Sequence, residues 1–350
     1  MTGVDIAVVG GGIVGAVVAR AAAAEFPDAG IAVLERGLAG QGASARSAGV
    51  HFPRGAGERV RSMSRYSHHY WRTAALELDL PIHPVDATVV ASARSAGAVR
   101  TGYLDLGAET AAADPARGWT APPGALAWTL PGCHYADVGT VAARILTALR
   151  DRVSVWEGSE VVALEPDGGG TRIVLGHGTE LRARNVVLCP GPWLAHPAWA
   201  ELVAPLGLRT KKVVAAHVDA VPAADRPLAI FHDEDAFLLP VHHRGHLLFS
   251  YTCDTWDVQP DTVEAGLSPA DLADARTVLE RYSPELAGRC RSGRVFCDAY
   301  SRQREPVVTA LRPGLVFAGA ANGSGYRLAP AIAAEAVACL SRAAVPDRKV

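Results

Sequence analysis

The stretch VDIAVVGGGIVGAVVARAAAAEFPDAGIAVLER, residues 4–36, constrains the fold more than any other part of this chain. Val4 to Val9 is a short apolar run, the pattern of a parallel strand buried on both faces. Gly10, Gly12 and Gly15 follow it directly as GxGxxG, and an alanine-rich helix begins at once. In such a turn the first glycine permits the tight bend, the second admits a pyrophosphate and the third brings the helix onto the sheet. Ile13 and Val14 open the helix, whose unpaired N–H groups and partial positive charge face an anion. The next strand ends in Glu35, placed for ribose hydroxyls, with Arg36 after it. An acid there repels a 2'-phosphate, which disfavours NADP and leaves FAD and NAD.

After Arg36 the strand–helix alternation stops. RGLAGQGASARSAGVHFPRG, residues 36–55, is a long loop poor in core formers. Long loops in compact domains usually serve function, so Ser44, Arg46, Ser47, Ala48 and Gly49 are candidate cofactor contacts. Helices are predicted over Glu58–Glu77 and near Val141–Arg150. Short strands follow, including Val161, a further candidate contact, with a glycine-rich hairpin at Asp167–Gly170. A buried strand over Asn185–Cys189 ends in Pro190, Gly191, Pro192 and Trp193. LVFAGAANGSG is another strand running into glycines, Gly319 first. Strands that end in glycines far apart in sequence fit one sheet whose carboxyl edge holds an extended cofactor.

Residues 81–134 and 201–298 look different. They are rich in proline and short strands such as KKVVAAHVDA, AFLLPV and HLLFSYT, with a helix near Pro269–Tyr282 that starts at Ser268-Pro269. The fold class is therefore α/β. A Rossmann-like cofactor domain (residues 1–80, 135–200 and 299–350) carries an inserted, mostly antiparallel β-sheet with helices (residues 81–134 and 201–298).

Composition narrows the function. The chain has 350 residues and a formal net charge of -2, with no lysine or arginine run. That pattern predicts no nucleic-acid footprint and no polybasic membrane patch. The first helix is too short for a bilayer and contains Arg20 and Glu25. No basic segment precedes the first strand, so no signal peptide is expected. Six cysteines lack CxxC spacing, which predicts a reducing cytosol and neither a zinc site nor a disulfide framework. His242, His243 and His246 have no acid or cysteine beside them and read as a solvated hairpin tip.

In order along the chain, GGGIVG with Glu35, GASARSAGV, VVLCPGPW and GLVFAGAANGSGYRLAPAIA resemble the FAD-dependent amine oxidases. That group includes D-amino-acid oxidase, glycine oxidase and monomeric sarcosine oxidase, and the resemblance runs from residue 4 to about 341. It implies FAD stretched across the sheet edge and a substrate domain over the flavin ring. It also implies hydride transfer from a C–H beside nitrogen to flavin N5, which leaves an imine. By the same resemblance Asn322, Gly323, Ser324 and Gly325 lie beside the ring. Gly323 and Gly325 would offer N–H groups to its pyrimidine oxygen, and a helix starting near Leu328 would add its positive end.

Arg327 falls where sarcosine oxidases carry a lysine that holds the substrate carboxylate. Arg302 falls near the glycine oxidase arginine of the same role, with Arg304 as a rival. Tyr300, Tyr326 and Tyr251 read either as pocket residues or as core. His51 and Arg54 follow the loop that passes near the flavin in the family. The catalytic candidates are Arg327, Arg302, Tyr300 and His51.

The chain departs from the family pattern in places. Ser47 occupies the slot of a histidine that attaches FAD in some relatives. Cys297 sits one residue away from the slot of a flavin-linking cysteine, which Asp298 takes, and one residue turns a strand side chain to the other face. FAD is therefore expected to be non-covalent. HLLFSYT carries no lysine where several relatives place one to activate oxygen; Lys211 and Lys212 lie on another strand. Slow reaction with oxygen follows as an expectation. The expected substrate is an amino acid or secondary amine with a carboxylate, and the acceptor is oxygen or another oxidant. A dehydrogenase subunit that needs a partner, an aromatic hydroxylase and an NAD reductase remain alternative readings.

Overall fold

The computed structural model describes residues 2–103, 111–116, 118–264 and 266–344. Parts of the expected domain ranges, residues 104–110 and 345–350, lie outside these.

The strand Thr2–Val9 runs inside an eight-stranded sheet. It is parallel to Glu180–Leu188 on one side and Ile31–Leu34 on the other. Val153–Trp156 extends the parallel set beyond Ile31–Leu34, and Leu315–Gly319 runs parallel to the carboxyl half of Glu180–Leu188. Val307–Arg312 adds an antiparallel edge, and the hairpin Val161–Asp167 with Gly170–Leu175 pairs with the other half of Glu180–Leu188. Ala7, Val8, Val33, Val186 and Val187 are fully buried. Apolar cores cover both faces of the sheet, so these strands show no alternation.

The helices Ile13–Glu25, Val138–Ala148, Glu58–Glu77 and Gly325–Ala344 contribute to one of those cores. Ala16, Ala19, Ala22, Ala329, Ala333 and Ala336 are fully buried there. Their small side chains let the helices lie close together.

A second sheet has seven strands in the order Cys290–Tyr300, Arg209–Val218, His246–Tyr251, Ala236–Val241, Leu228–Phe231, Ala87–Ala91 and Leu126–Leu130. Within it only the pair Leu228–Phe231 and Ala87–Ala91 is parallel. The helix Pro269–Glu280 packs on it and begins with a capping box between Ser268 and Asp271. A three-stranded sheet joins Val50–His51, His134–Ala136 and Ile82–Pro84.

Helix limits shift slightly from expectation. Glu58–Glu77 stands as predicted, whereas the helix expected near Val141 starts at Val138, with Asp137 as its cap. The last helix starts at Gly325, not near Leu328, because Leu328 N–H bonds the Ser324 carbonyl at 2.9 Å and closes a turn earlier. His242–Arg244 is a 3-10 turn at a hairpin tip. Among the described residues no helix is long and apolar enough to cross a membrane. No metal-holding group of His, Cys, Asp or Glu is found among them either, and the six cysteines are free.

Candidate active site

A cavity of about 620 Å³ is lined by the glycine-bent strand ends of the parallel sheet and by residues of the second sheet. Every predicted cofactor contact lines it, from Gly10 through Ser44, Val161 and Trp193 to Arg327. Tyr300 and Tyr251 line it as well.

One end is built by close backbone approach. A Cβ on Gly10 would sit 2.3 Å from the Cys189 carbonyl oxygen, and one on Gly15 would sit 1.9 Å from that of Gly10. Neither position admits a side chain. The helix that follows has no side-chain cap, although Ser44 Oγ accepts the Ile13 N–H at 3.0 Å. Glu35 braces the turn: Oε2 accepts from Gly11 N–H at 2.7 Å and Oε1 from Gly37 N–H at 2.9 Å. Beside it, the Arg36 guanidinium lies 4.3 Å from the centre of the Trp193 ring and pairs with Asp261 at 2.7 Å. Trp193 Nε1 donates to the same Asp261 oxygen at 2.7 Å. The hydrogen bond from Arg36 holds the Asp261 carboxyl below its usual range, against the cost of burial.

At the other end sits Arg327, 9% exposed, with no carboxylate partner among the described residues. It donates to the carbonyls of Arg54 and Phe52 and, at 2.7 Å, to Ser324 Oγ. Its guanidinium lies over the Phe52 ring at 5.2 Å. Burial first, and Arg54 second, push it down to about 10. A buried cation without an anion is costly; this one is solvated by backbone carbonyls and faces an open cavity.

The glycine loop is pinned to the second sheet. Asn322 and Gly323 have φ of 56° and 77°, in the left-handed region. Asn322 N–H donates to the Ala299 carbonyl at 3.1 Å, and Asn322 Oδ1 accepts from Ser301 N–H at 3.0 Å. Gly323 N–H donates to Asp298 Oδ2 at 2.7 Å. The expectation that this N–H reaches a flavin oxygen is thereby corrected: the left-handed turn aims it at Asp298. Burial pushes the Asp298 carboxyl up to about 6.

Two expected catalytic residues do not reach the cavity. Val50 and Phe52 line it, so strand alternation turns His51 between them the other way. His51 is fully buried, stacked on His134 at 4.5 Å, with Nε2 3.2 Å from His68 Nδ1. Burial, then His134, lowers its pKa well below the usual value. Arg302 lies exposed on the turn after the strand Cys290–Tyr300, and so does its rival Arg304.

Other lining residues were missed as pocket residues: Lys211, Tyr103, His232, Asp235 and Asp261. Lys211 is 7% exposed, 4.8 Å from the Trp256 ring centre and 5.6 Å from that of Tyr300. A lysine inside an apolar strand was the available signal. Nothing in the local pattern marks the others.

Solved structures share this fold. Glycine oxidase from Geobacillus kaustophilus is 19% identical with a TM-score of 0.82, over 98% of this chain and 95% of that one. L-proline dehydrogenase from P. horikoshii is 15% identical with a TM-score of 0.81, over 97% and 94%. NikD, described as an unusual amino acid oxidase essential for nikkomycin biosynthesis, is 19% identical with a TM-score of 0.78, over the whole of both chains. No curated protein matches the chain.

The family DAO, described as FAD dependent oxidoreductase, matches residues 5–339. The residues present fit that cofactor. The Gly10 and Gly15 contacts leave a bare backbone edge at a helix start where Ser44 Oγ takes only the Ile13 N–H, the feature a pyrophosphate needs. Glu35, with two N–H bonds made, keeps acceptor sites for ribose hydroxyls. On the match across the chain and on this fit, the chain belongs to the DAO family of FAD-dependent oxidoreductases, and it is an enzyme.

Proposed function

We propose that the enzyme oxidises the C–N bond of an amino acid, or of a secondary amine carrying a carboxylate, to an imine. The supporting observation is Arg327, a buried guanidinium on the cavity wall with no carboxylate of its own among the described residues. Its planar fork matches a carboxylate, and burial strengthens the pair. The names of the similar solved structures, glycine oxidase, proline dehydrogenase and amino acid oxidase, agree with this class.

When bound, FAD supplies the hydride acceptor. The chain's own residues do the rest. Arg327 holds the carboxylate and so fixes the substrate's Cα. Phe52, Phe237 and Ile230 line the same cavity and keep water away. The substrate amine must lose its proton before the C–H bond breaks. His232 lines the cavity, and burial lowers its pKa. It is therefore neutral near pH 7 and free to accept that proton. Tyr300 is unsuited to this task, because burial raises its pKa and keeps its hydroxyl protonated.

FAD is held without a covalent bond in this reading. Ser47 and Asp298 line the cavity in the two linkage slots, and Cys297 does not line it. Oxygen or another oxidant removes the electrons. The ground for expecting slow reaction with oxygen is weaker than the sequence alone implied. Lys211 brings a cation to the cavity from the strand next to HLLFSYT.

The test is anaerobic mixing of holoenzyme with D-, L- and N-methyl amino acids. Bleaching of the flavin band by at least one is expected. R327Q should lower kcat/KM for that substrate at least about 100-fold. If no amino acid bleaches the flavin, the reading is wrong.

A further inference from the structure

We infer that the substrate carries a second anionic group, a carboxylate on its side chain, which Arg54 holds beside Arg327. This rests on the reading that Arg327 takes the α-carboxylate.

The Arg54 guanidinium lies 5.3 Å from the centre of the Tyr103 ring, and its side chain is 29% exposed. It makes no side-chain hydrogen bond among the described residues. Its nearest carboxylate is Asp235, at 3.7 Å, beyond hydrogen-bond reach. Asp235 is itself 69% exposed and already accepts from Thr252 Oγ1 at 2.7 Å. The Tyr103 hydroxyl is buried without a partner. Arg54 and Tyr103 are both close enough to Arg327 to act on its charge.

One wall of the cavity therefore holds two guanidiniums, and the acceptor nearest Arg54 is an exposed carboxylate beyond hydrogen-bond reach. Partly buried donors left without acceptors are costly, and an anion satisfies several at once. One carboxylate occupies Arg327. A neutral side chain would leave Arg54 as it stands, and a basic side chain would meet two like charges. An acidic side chain completes the wall by giving Arg54 the acceptor that Asp235, at 3.7 Å, does not supply.

The test uses non-oxidisable acids and holoenzyme, with dissociation constants from calorimetry. Succinate and glutarate should bind roughly 10- to 100-fold more tightly than propionate and butyrate. R54Q should reduce the dicarboxylates to the monocarboxylate level, and R54K should keep part of the advantage. D235N, which removes the competing carboxylate, should tighten the dicarboxylates further. The bound-flavin spectrum confirms that each variant is folded.

Equal binding of the two classes by the wild type would overturn the inference. So would an R54Q variant that weakens both classes in proportion, since Arg54 would then share a single carboxylate. The underlying reading fails in a different way. In that case R327Q leaves monocarboxylate binding untouched, and the ground for both is removed.

Discussion

Asp298 carries a carboxyl that burial pushes up to about 6 while one oxygen accepts the Gly323 N–H. Between about pH 4 and pH 6 the unfolded chain has released this proton and the folded chain still holds it. Stability therefore falls as pH rises through that window, by roughly 1–2 kcal/mol once screening through the open cavity is allowed for. D298N removes the titrating group and keeps an acceptor for Gly323. In urea denaturation of flavin-stripped protein, the variant should be the more stable form at pH 8 by about that amount and show no gain at pH 4. Lys211 supports a second prediction at this scale. In the proposed reaction a buried cation at the cavity wall would favour charge developing on oxygen. K211M should slow reoxidation of the reduced enzyme by oxygen at least about 10-fold in stopped flow, with flavin reduction by substrate much less affected.

Among the elements, the first turn and helix were the most legible in the residues. Gly15 leaves no room for a side chain, since a Cβ there would overlap the Gly10 carbonyl. G15V should push the helix off the sheet, destabilise the fold by about 2–4 kcal/mol and yield colourless protein. The helix Pro269–Glu280 was also foreshadowed by its Ser-Pro start. Its capping box holds Asp271, which also pairs with Lys212. S268A should cost about 1 kcal/mol in chemical denaturation. Arg302 was placed in the pocket by resemblance alone, and the turn after the strand Cys290–Tyr300 carries it out to solvent. His51 failed for a related reason, because a two-residue strand places alternate side chains on opposite faces.

At the scale of the whole molecule, the cavity exists because two sheets from interleaved parts of the chain meet along its length. The loop after His246–Tyr251 reaches across to the first sheet, where Asp261 ties to Arg36 and Trp193. That tie closes the end where Glu35 lies. D261A should therefore speed the release of FAD about 5- to 30-fold, the loss of one charge-assisted contact or more. Release of flavin fluorescence on dilution measures it, and unchanged release would show that the tie does not retain the cofactor.

The residues alone determined the FAD-binding turn, the parallel sheet and the glycine loops. Those features are local: a glycine with no room for Cβ, a strand buried on both faces and a helix opened by a glycine that brings no capping side chain are written within a few consecutive positions. Which further charges line the cavity was decided only by tertiary structure. Lys211, Asp235 and Asp261 come from different elements, and Arg302 and His51 are turned away from the cavity. Strand parity, turn direction and the packing of one sheet against another set those orientations, and none of them is encoded within a single segment.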